Sequence, residues 1–397
     1  ICVFLFFFLS MRFTLAEVGG NYSGFFLLSE TFLKKNPYLR RNEELKSTLI
    51  IYDHYGYDGQ FYYNMVFDPW LTYYEEKPNK YRTFFDMPIF RYRRIGYPAL
   101  AKLFSMDRPE SYPQTMILLL LFSHAVGALF VANMALHFKR NVWWTLLYVL
   151  VPGFTVSFRY GLPESMAAAL LLGGTYFYLK KRLLLATLFF SCSLLTRETG
   201  ALVIAVIILF ELFEKRNWRS AFLMMSAFVP YFLWRGYVTW KLLADFGWAG
   251  FFYEPANFAA PFFGIGQLWY RLFSGQPVLD SAATAIFFPV LLIVAFISSL
   301  WILMRRKNFL TWSFFAYSAL AVSLDYEKVW VGVLNAERHT YESFVMLLAS
   351  FLSLKEEASP ARFLPLLVFF LAFLYDWCCL TTAATFRAGL LSILMNN

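Results

Sequence analysis

Long apolar runs alternate with short polar separators along most of the chain. A transmembrane helix needs about 20 apolar residues, with a range of about 17–25, and several of the runs are shorter than that. We therefore predict an all-α, polytopic membrane protein with about ten to twelve transmembrane helices. The predicted spans lie at roughly 1–16, 113–138, 142–158, 162–179, 183–197, 199–214, 218–242, 281–304, 309–325, 338–354 and 361–378.

Basic residues follow alternate apolar runs, which indicates the orientation of the chain. If residues 89–105 lie along the membrane or re-enter it, all of these basic groups fall on one side, which the positive-inside rule makes cytoplasmic. The opposite face then receives residues 17–112 as a long first outer loop and residues 243–280 as a second outer loop. The basic groups are Lys139-Arg140, Lys180-Lys181-Arg182, Lys215-Arg216, Arg305-Arg306-Lys307 and Lys355.

The two outer loops have sequences suited to the membrane surface. Residues 21–46 combine an apolar half with a basic one, so we predict a short amphipathic helix in the interface plane. Residues 57–67 have helical apolar spacing, and Asp68-Pro69 ends that helix because the residue before a proline is disfavoured in helical geometry. The second outer loop is rich in aromatic residues, which favour the level of the lipid headgroups. Membrane lipid is therefore an expected partner.

Composition agrees with a membrane protein. The chain is 59% hydrophobic and 15% charged, whereas soluble domains carry about 25% charged residues. The net charge of +9 is spread over short clusters between apolar runs rather than along a groove, so we expect no nucleic-acid partner. The cysteines have no C-x-x-C spacing for a metal or redox site. Because the chain opens at Ile1 inside an apolar run, we expect a truncated N-terminus.

Candidate catalytic residues gather between residues 52 and 70, where carboxylates lie among aromatic side chains. Asp58 is the leading candidate for a general base and Asp53 the second, since glycosyl transfer needs a carboxylate to take the acceptor's proton. The alternative is that both aspartates cap short helices. The other candidates for substrate binding in this stretch are His54, Gln60 and Tyr62.

Charged residues at the predicted outer boundary are the candidates for binding a phosphate group. Guanidinium groups bind phosphate through paired donors, although anionic headgroups would attract the same residues. Charges at membrane depth are costly, so they indicate either a ligand or a pairing such as Arg197 with Glu164 or Glu198. Glu164 also suits a helix N-terminus. The candidates for phosphate binding are Arg91, Arg93, Arg94, Arg197, Arg338 and His339, and Glu164 is a candidate for substrate binding.

Several nucleotide and metal motifs do not occur in the sequence. It has no G-x-x-x-x-G-K-[ST] loop, no G-x-G-x-x-G after a strand, no H-E-x-x-H and no zinc spacing. A soluble-type enzyme that uses a nucleotide sugar is therefore disfavoured, and a sugar donor carried by the membrane fits better.

Five short segments lie across most of the chain: YDGQFYY at 57–63, DP at 68–69, YRRIGYP at 92–98, GLPES at 161–165 and LTRETG at 195–200. Together they resemble segments of the GT-C superfamily of integral-membrane glycosyltransferases, in a bacterial, mannosyltransferase-like branch. The resemblance implies one transmembrane domain over residues 1–397, an inverting transfer from a polyprenyl-phosphate sugar, and Asp58 or Asp53 as base. The adjacent acidic pair of many members is missing, which leaves open the choice of base and whether a divalent metal ion takes part.

The leading hypothesis is therefore a glycosyltransferase acting on a lipid or glycan acceptor. It would lie in the bacterial inner (cytoplasmic) membrane with its active face periplasmic or extracellular. The alternatives are a transporter or flippase of lipid-linked glycans and a non-catalytic envelope assembly protein. A transporter would place ionisable residues near mid-bilayer, whereas here they cluster at the predicted outer edge.

Overall fold

The chain is almost entirely helical, in a computed structural model that describes residues 1–53, 56–72, 84–253, 257–278, 281–330, 332–354 and 360–379. The all-α prediction is therefore confirmed. The α-helices are α1 Cys2–Glu17, α2 Glu30–Leu33, α3 Pro37–Arg40, α4 Glu43–Ser47, α5 Gly59–Phe67, α6 Pro88–Arg91, α7 Gly96–Phe104, α8 Tyr112–His137, α9 Phe154–Arg159, α10 Glu164–Leu179, α11 Leu183–Thr196, α12 Ala201–Leu209, α13 Trp218–Met225, α14 Phe228–Lys241, α15 Leu243–Phe246, α16 Phe263–Phe273, α17 Ala282–Arg305, α18 Phe309–Val322, α19 Val333–Ser353 and α20 Pro360–Cys379.

Irregular helices and one small sheet complete the described ranges. Strands β1, Leu28–Ser29, and β2, Ile51–Tyr52, pair in parallel. The side chain of Gln60 accepts a hydrogen bond from the backbone N–H of Ser29 at 3.0 Å, so the sheet is tied to the first turn of α5. The 3-10 helices are Tyr22–Phe25, Pro109–Ser111, Val142–Leu150, Glu198–Gly200 and Trp248–Phe252, and the π-helices are Phe210–Glu214 and Tyr326–Trp330.

The prediction of one amphipathic helix over residues 21–46 is wrong. That segment is divided into a 3-10 turn, strand β1 and the short helices α2, α3 and α4. Asn36 precedes Pro37 and caps α3 through the N–H of Tyr38, and Asn42 caps α4 through the N–H of Leu45. Such caps begin new helices, which the apolar pattern alone did not reveal. The helix predicted at 57–67 is found as α5, and it ends before Pro69 as expected.

Two predicted spans are divided. In 142–158 a 3-10 helix is followed by Pro152 and then Gly153, whose φ of 87° lies in the left-handed region, so α9 starts in a new direction. In 218–242, α13 ends at Met225 and α14 begins at Phe228. Pro230 lies in the first turn of α14, where a missing N–H is tolerated.

Two of the described helices are long and apolar enough to cross a membrane: Pro109–His137, which includes α8, and Ala282–Arg305, which is α17. Length and composition alone identify them. The larger number of ten to twelve spans stays a prediction. Residues 89–105 form only the short helices α6 and α7, and at 1.5 Å per residue a nine-residue helix covers roughly 14 Å, too little to cross a bilayer.

Helix α19 lies at the centre of the fold. It packs against α8, α9, α10, α17 and α18, and nearly every residue from Thr340 to Leu352 is buried. A helix buried on all sides belongs to the interior of a protein. Its N-terminal part carries Arg338 and Glu342, and its C-terminal end is at Ser353.

Candidate functional site

Asp58 lies between two arginines from distant parts of the chain. It occupies the N-cap position of α5, but its side chain makes no capping hydrogen bond. Instead, Arg91 at the end of α6 donates to Oδ1 at 2.8 Å, and Arg338 of α19 donates to Oδ2 at 2.6 Å. The carboxylate therefore joins the predicted first outer loop to helix α19. Because its side chain makes no capping hydrogen bond, the capping alternative does not apply to Asp58.

Glycine at position 59 permits this placement. A Cβ atom at Gly59 would lie 2.2 Å from the backbone oxygen of Tyr160, which is closer than any side chain allows. The start of α5 therefore contacts the turn that leads into Glu164. Gly161 in that turn has a φ of +63°, and a Cβ there would lie 2.5 Å from the ring of Phe26. Two glycines thus bring Asp58 close to the N-terminus of α10.

A buried series of alternating charges continues from Arg338. Its Nε lies 3.3 Å from Oε1 of Glu164, the first residue of α10, and the same oxygen accepts a hydrogen bond from Nη1 of Arg197. Nε of Arg197 lies 3.7 Å from Oε1 of Glu342, which also accepts a hydrogen bond from Thr199. Of the pairings predicted for Arg197, the structure contains the one with Glu164.

At the other end of the series, Arg91 also binds Asp86. Its Nε lies 3.0 Å from Oδ1, and its Nη2 lies 2.7 Å from Oδ2. The Cζ atom of the guanidinium group lies 4.4 Å from the centre of the Phe61 ring. We call these seven residues the arginine–carboxylate cluster: Asp58, Asp86, Arg91, Glu164, Arg197, Arg338 and Glu342.

The cluster holds Asp58 in its ionised form. Burial opposes ionisation of this carboxyl group, but Arg91 and Arg338 outweigh burial and hold the pKa of Asp58 well below its usual range. Burial also raises the pKa of Tyr57 to about 12, so its hydroxyl stays protonated and donates to Oδ1 of Asn335 at 2.6 Å. The described residues give the cluster three guanidinium groups and four carboxylates.

One edge of the cluster is partly exposed to solvent, and the other edge is buried. The side chains of Asp86 and Asp58 are 42% and 26% exposed, and that of Arg91 is 10% exposed. Those of Arg338, Glu164 and Arg197 are 1–2% exposed. A ligand would therefore reach the cluster at Asp58 and Arg91, while the deeper members support Arg338 from behind.

Arg93 and Arg94 make contacts outside the cluster. Arg93 donates to the backbone oxygen of Gly250 at 2.9 Å, so it joins the two predicted outer loops. Arg94 forms a two-bond pair with Glu198, at 2.8 and 2.5 Å, next to Arg197 in sequence. Arg93 and Arg94 are therefore paired within the protein, and neither pairing includes Asp58.

The remaining predicted residues are placed as follows. The buried ring of Tyr62 lies 6.0 Å from that of Tyr97, while Gln60 binds Ser29 in the sheet contact described above. His339 has its Nδ1 2.6 Å from the backbone oxygen of Asn335. Asp53 is exposed, and no hydrogen bond or ion pair between described residues joins it to the cluster. His54 lies outside the described residues.

Sequence reasoning missed Asp86 and Glu342. A signal for Glu342 is present, because it follows Arg338 by four residues and therefore lies on the same face of α19. Asp86 precedes Arg91 by five residues in a loop, and no spacing rule identifies such a pair. Arg91 was predicted as part of a basic group, without the carboxylates that it binds.

A divalent metal ion does not fit the described part of this site. Within the described ranges, no three His, Cys, Asp or Glu side chains are grouped so that they could hold one. Each carboxylate of the cluster faces a guanidinium group, which would repel a cation. We therefore assign no metal ligands and derive no step through a metal.

Comparison with family models, with curated proteins and with solved structures gave no match for this chain. The resemblance to GT-C enzymes therefore stays a prediction.

Proposed function

We propose that this protein is an inverting glycosyltransferase that uses a polyprenyl-phosphate sugar as donor and a lipid or glycan as acceptor. One observation carries the proposal: Asp58, a partly exposed carboxylate, contacts Arg91 and Arg338 at the open edge of a buried ionic cluster. Sugar transfer from a phosphate needs a base for the acceptor hydroxyl and cationic groups for the leaving phosphate. This edge places both kinds of group together.

In the proposed reaction, the acceptor hydroxyl oxygen attacks the anomeric carbon of the donor. The bond between that carbon and the phosphate oxygen breaks, and its electron pair leaves with the polyprenyl phosphate. Asp58 receives the hydroxyl proton, and Arg91 and Arg338 stabilise the charge on the leaving phosphate. A single displacement of this kind inverts the configuration at the anomeric carbon.

Glu164, Arg197 and Glu342 are positioning residues in this scheme. All three are buried, and Glu164 contacts Arg338 directly. Arg197 and Glu342 fix Glu164 in turn, so the guanidinium of Arg338 is held toward Asp58. Preorganised charge of this kind needs a supporting shell that locks each side chain.

The proposal includes a polytopic topology, with the cluster toward the periplasmic or extracellular face of a bacterial inner membrane. Support comes from α19: its N-terminal part carries Arg338, whereas the carbonyl groups of Leu352 and Ser353 at its other end bind Arg140 and Arg306. Those two arginines belong to the basic groups predicted to be cytoplasmic. Exposed aromatic residues support contact of the second outer loop with lipid headgroups, and they are Trp248, Phe252, Phe258, Phe263, Tyr270 and Phe273.

The test gives the purified protein, in lipid, a set of polyprenyl-phosphate sugars and measures donor turnover. Asp58→Asn should reduce turnover by about 10²–10⁴-fold, the usual contribution of a general base. Asp107→Asn is the matched control, because Asp107 is an exposed aspartate near the end of the first outer loop that pairs with Lys102. Its turnover should equal that of the unmodified protein.

Three other outcomes would contradict the proposal or its assignment. Turnover that is unchanged in Asp58→Asn removes the proposed base, and loss in Asp53→Asn alone would transfer that role to Asp53. Uptake of a lipid-linked glycan or solute without sugar transfer would favour the transporter.

A further inference from the structure

We propose that a donor phosphate enters the cluster by replacing Asp58 on Arg91 and Arg338, and that Asp58 takes up a proton as a result. This inference depends on the proposed function and adds to it a coupling between donor binding and base strength. While Arg91 and Arg338 contact Asp58, the Asp58 carboxylate is a weak base. When the two arginines bind the phosphate instead, the affinity of Asp58 for a proton rises. During turnover the acceptor hydroxyl supplies that proton as its oxygen bonds to the anomeric carbon, and in a donor complex without acceptor the proton comes from the solvent.

The contacts of the two arginines favour an exchange of anions over simple addition of a phosphate. Both oxygens of the Asp58 carboxylate already receive a guanidinium hydrogen bond. The second partners of the two arginines, Asp86 and Glu164, are carboxylates as well. Each guanidinium therefore already faces two carboxylates, and Asp58 is the carboxylate at the accessible edge that both arginines share.

The net charge of the cluster also favours proton uptake when a phosphate binds. Counted over the described residues, the cluster has one more carboxylate than guanidinium groups, so it has no excess of positive charge for an anion. Adding a phosphodiester would increase the negative charge in a largely buried site, where an uncompensated charge is strongly disfavoured. Protonation of one carboxylate restores the balance that existed before binding.

The groups that face Asp58 identify it as the carboxylate that is protonated. From α6 it faces Arg91, and from α19 it faces Arg338, with His339 next along that helix. Tyr57 precedes it in sequence, and its hydroxyl is committed to Asn335. Nδ1 of His339 is committed to the backbone oxygen of Asn335. Asp86 and Glu164 lie beyond the two arginines, and each keeps one of them as a partner when Asp58 is displaced.

The experiment uses a short isoprenyl methyl phosphate diester as the probe and the full-length protein in lipid nanodiscs. A phosphodiester keeps one negative charge from pH 5 to pH 8, so any pH dependence belongs to the protein. For the unmodified protein, the affinity should fall as pH rises, by up to about tenfold per pH unit where a whole proton is taken up. Calorimetry in two buffers with different ionisation enthalpies counts that proton directly.

Three variants test whether Asp58 is the group that takes up the proton. Asp58→Asn removes the displaced carboxylate, so the probe should bind at pH 8 at least tenfold more tightly than to the unmodified protein, with no pH dependence and no proton uptake. Asp58→Glu keeps a carboxylate and should keep proton uptake. Asp107→Asn should behave as the unmodified protein does. A thermal unfolding curve for each variant shows that the protein measured is folded.

Binding without proton uptake in the unmodified protein would overturn this inference and leave the proposed function standing. Proton uptake that persists in Asp58→Asn would also overturn it, because the proton would then be located elsewhere. If the probe binds neither the unmodified protein nor Asp58→Asn at any pH, the cluster is not a phosphate site, and the proposed function fails as well.

Discussion

The two ends of α19 hold arginine side chains in different ways. At the N-terminal end, Arg338 is buried and binds carboxylates from α10 and from the start of α5. At the C-terminal end, half-buried Arg140 and Arg306 donate to the backbone oxygens of Leu352 and Ser353. With a rise of 1.5 Å per residue, Arg338 and Ser353 lie roughly 22 Å apart along the helix.

The arginines at the C-terminal end stabilise helix α19, whereas Arg338 at the N-terminal end lies in a cluster that a ligand could bind. Cations near a helix C-terminus satisfy unpaired carbonyl groups and contribute about 0.3–1 kcal/mol each. Buried ion pairs lose several kcal/mol of hydration per ion and are weak evidence for stability. The N-terminal end therefore carries a charge arrangement that stability alone does not require, and such arrangements are concentrated at functional sites.

The largest expected effect comes from breaking the buried end. Arg197→Met leaves Glu164 and Glu342 buried without their shared partner, which should lower the free energy of unfolding by about 3–5 kcal/mol. Denaturant unfolding in detergent measures this loss. The double variant Arg197→Met with Glu342→Gln should recover part of it, because Glu342 then loses its charge together with its guanidinium partner, whereas Glu164 keeps Arg338. A loss below about 1 kcal/mol would contradict the view that these charges depend on one another.

A smaller effect is expected from Gly59→Ala. The added Cβ atom would clash with the backbone oxygen of Tyr160, and forced overpacking of this kind costs about 1–3 kcal/mol. Donor turnover should fall too, since Asp58 is the neighbouring residue. Gly236→Ala is the matched control: Gly236 lies inside α14 with nothing within 4 Å of the added atom, so stability should stay equal or rise. Equal stability and equal turnover of the two variants would show that the close contact between residue 59 and Tyr160 is not required.

The smallest effect is expected at the C-terminal end of α19. Arg306→Ala removes one contact to a terminal carbonyl group and should lower the free energy of unfolding by about 0.3–1 kcal/mol, with donor turnover unchanged. Thermal unfolding and the turnover assay are measured on the same preparation. If Arg306→Ala abolishes turnover as Asp58→Asn is expected to do, the functional contrast between the two ends disappears.

The apolar pattern predicted where most of the long helices lie, because helix formation and burial depend on local sequence. It failed where one residue redirects the chain without changing the apolar character around it. Gly153 does so by its left-handed geometry, and Asn36 and Asn42 do so by capping new helices. Asn36 and Asn42 lie within residues 21–46, where the apolar pattern alone predicted one continuous helix.

Five of the seven cluster residues were predictable as candidates, but of their pairings only Arg197 with Glu164 was. Asp58, Glu164, Arg197 and Arg338 were all expected to carry chemistry, and the fold brings them into one cluster. The pairs that Asp58 makes with Arg91 and Arg338 depend on how distant helices pack, and no spacing in the sequence encodes them. Arg93 and Arg94 have the same composition signal as Arg91, yet their partners are a backbone oxygen and Glu198.

The most direct test of the cluster as a phosphate site is an experimental structure with a non-transferable polyprenyl-phosphate sugar analogue bound. We expect the phosphate oxygens within hydrogen-bond distance of Arg91 and Arg338, with Asp58 displaced from at least one of them and facing the anomeric carbon. A phosphate bound elsewhere, with the contacts from Arg91 and Arg338 to Asp58 unchanged, would contradict the account.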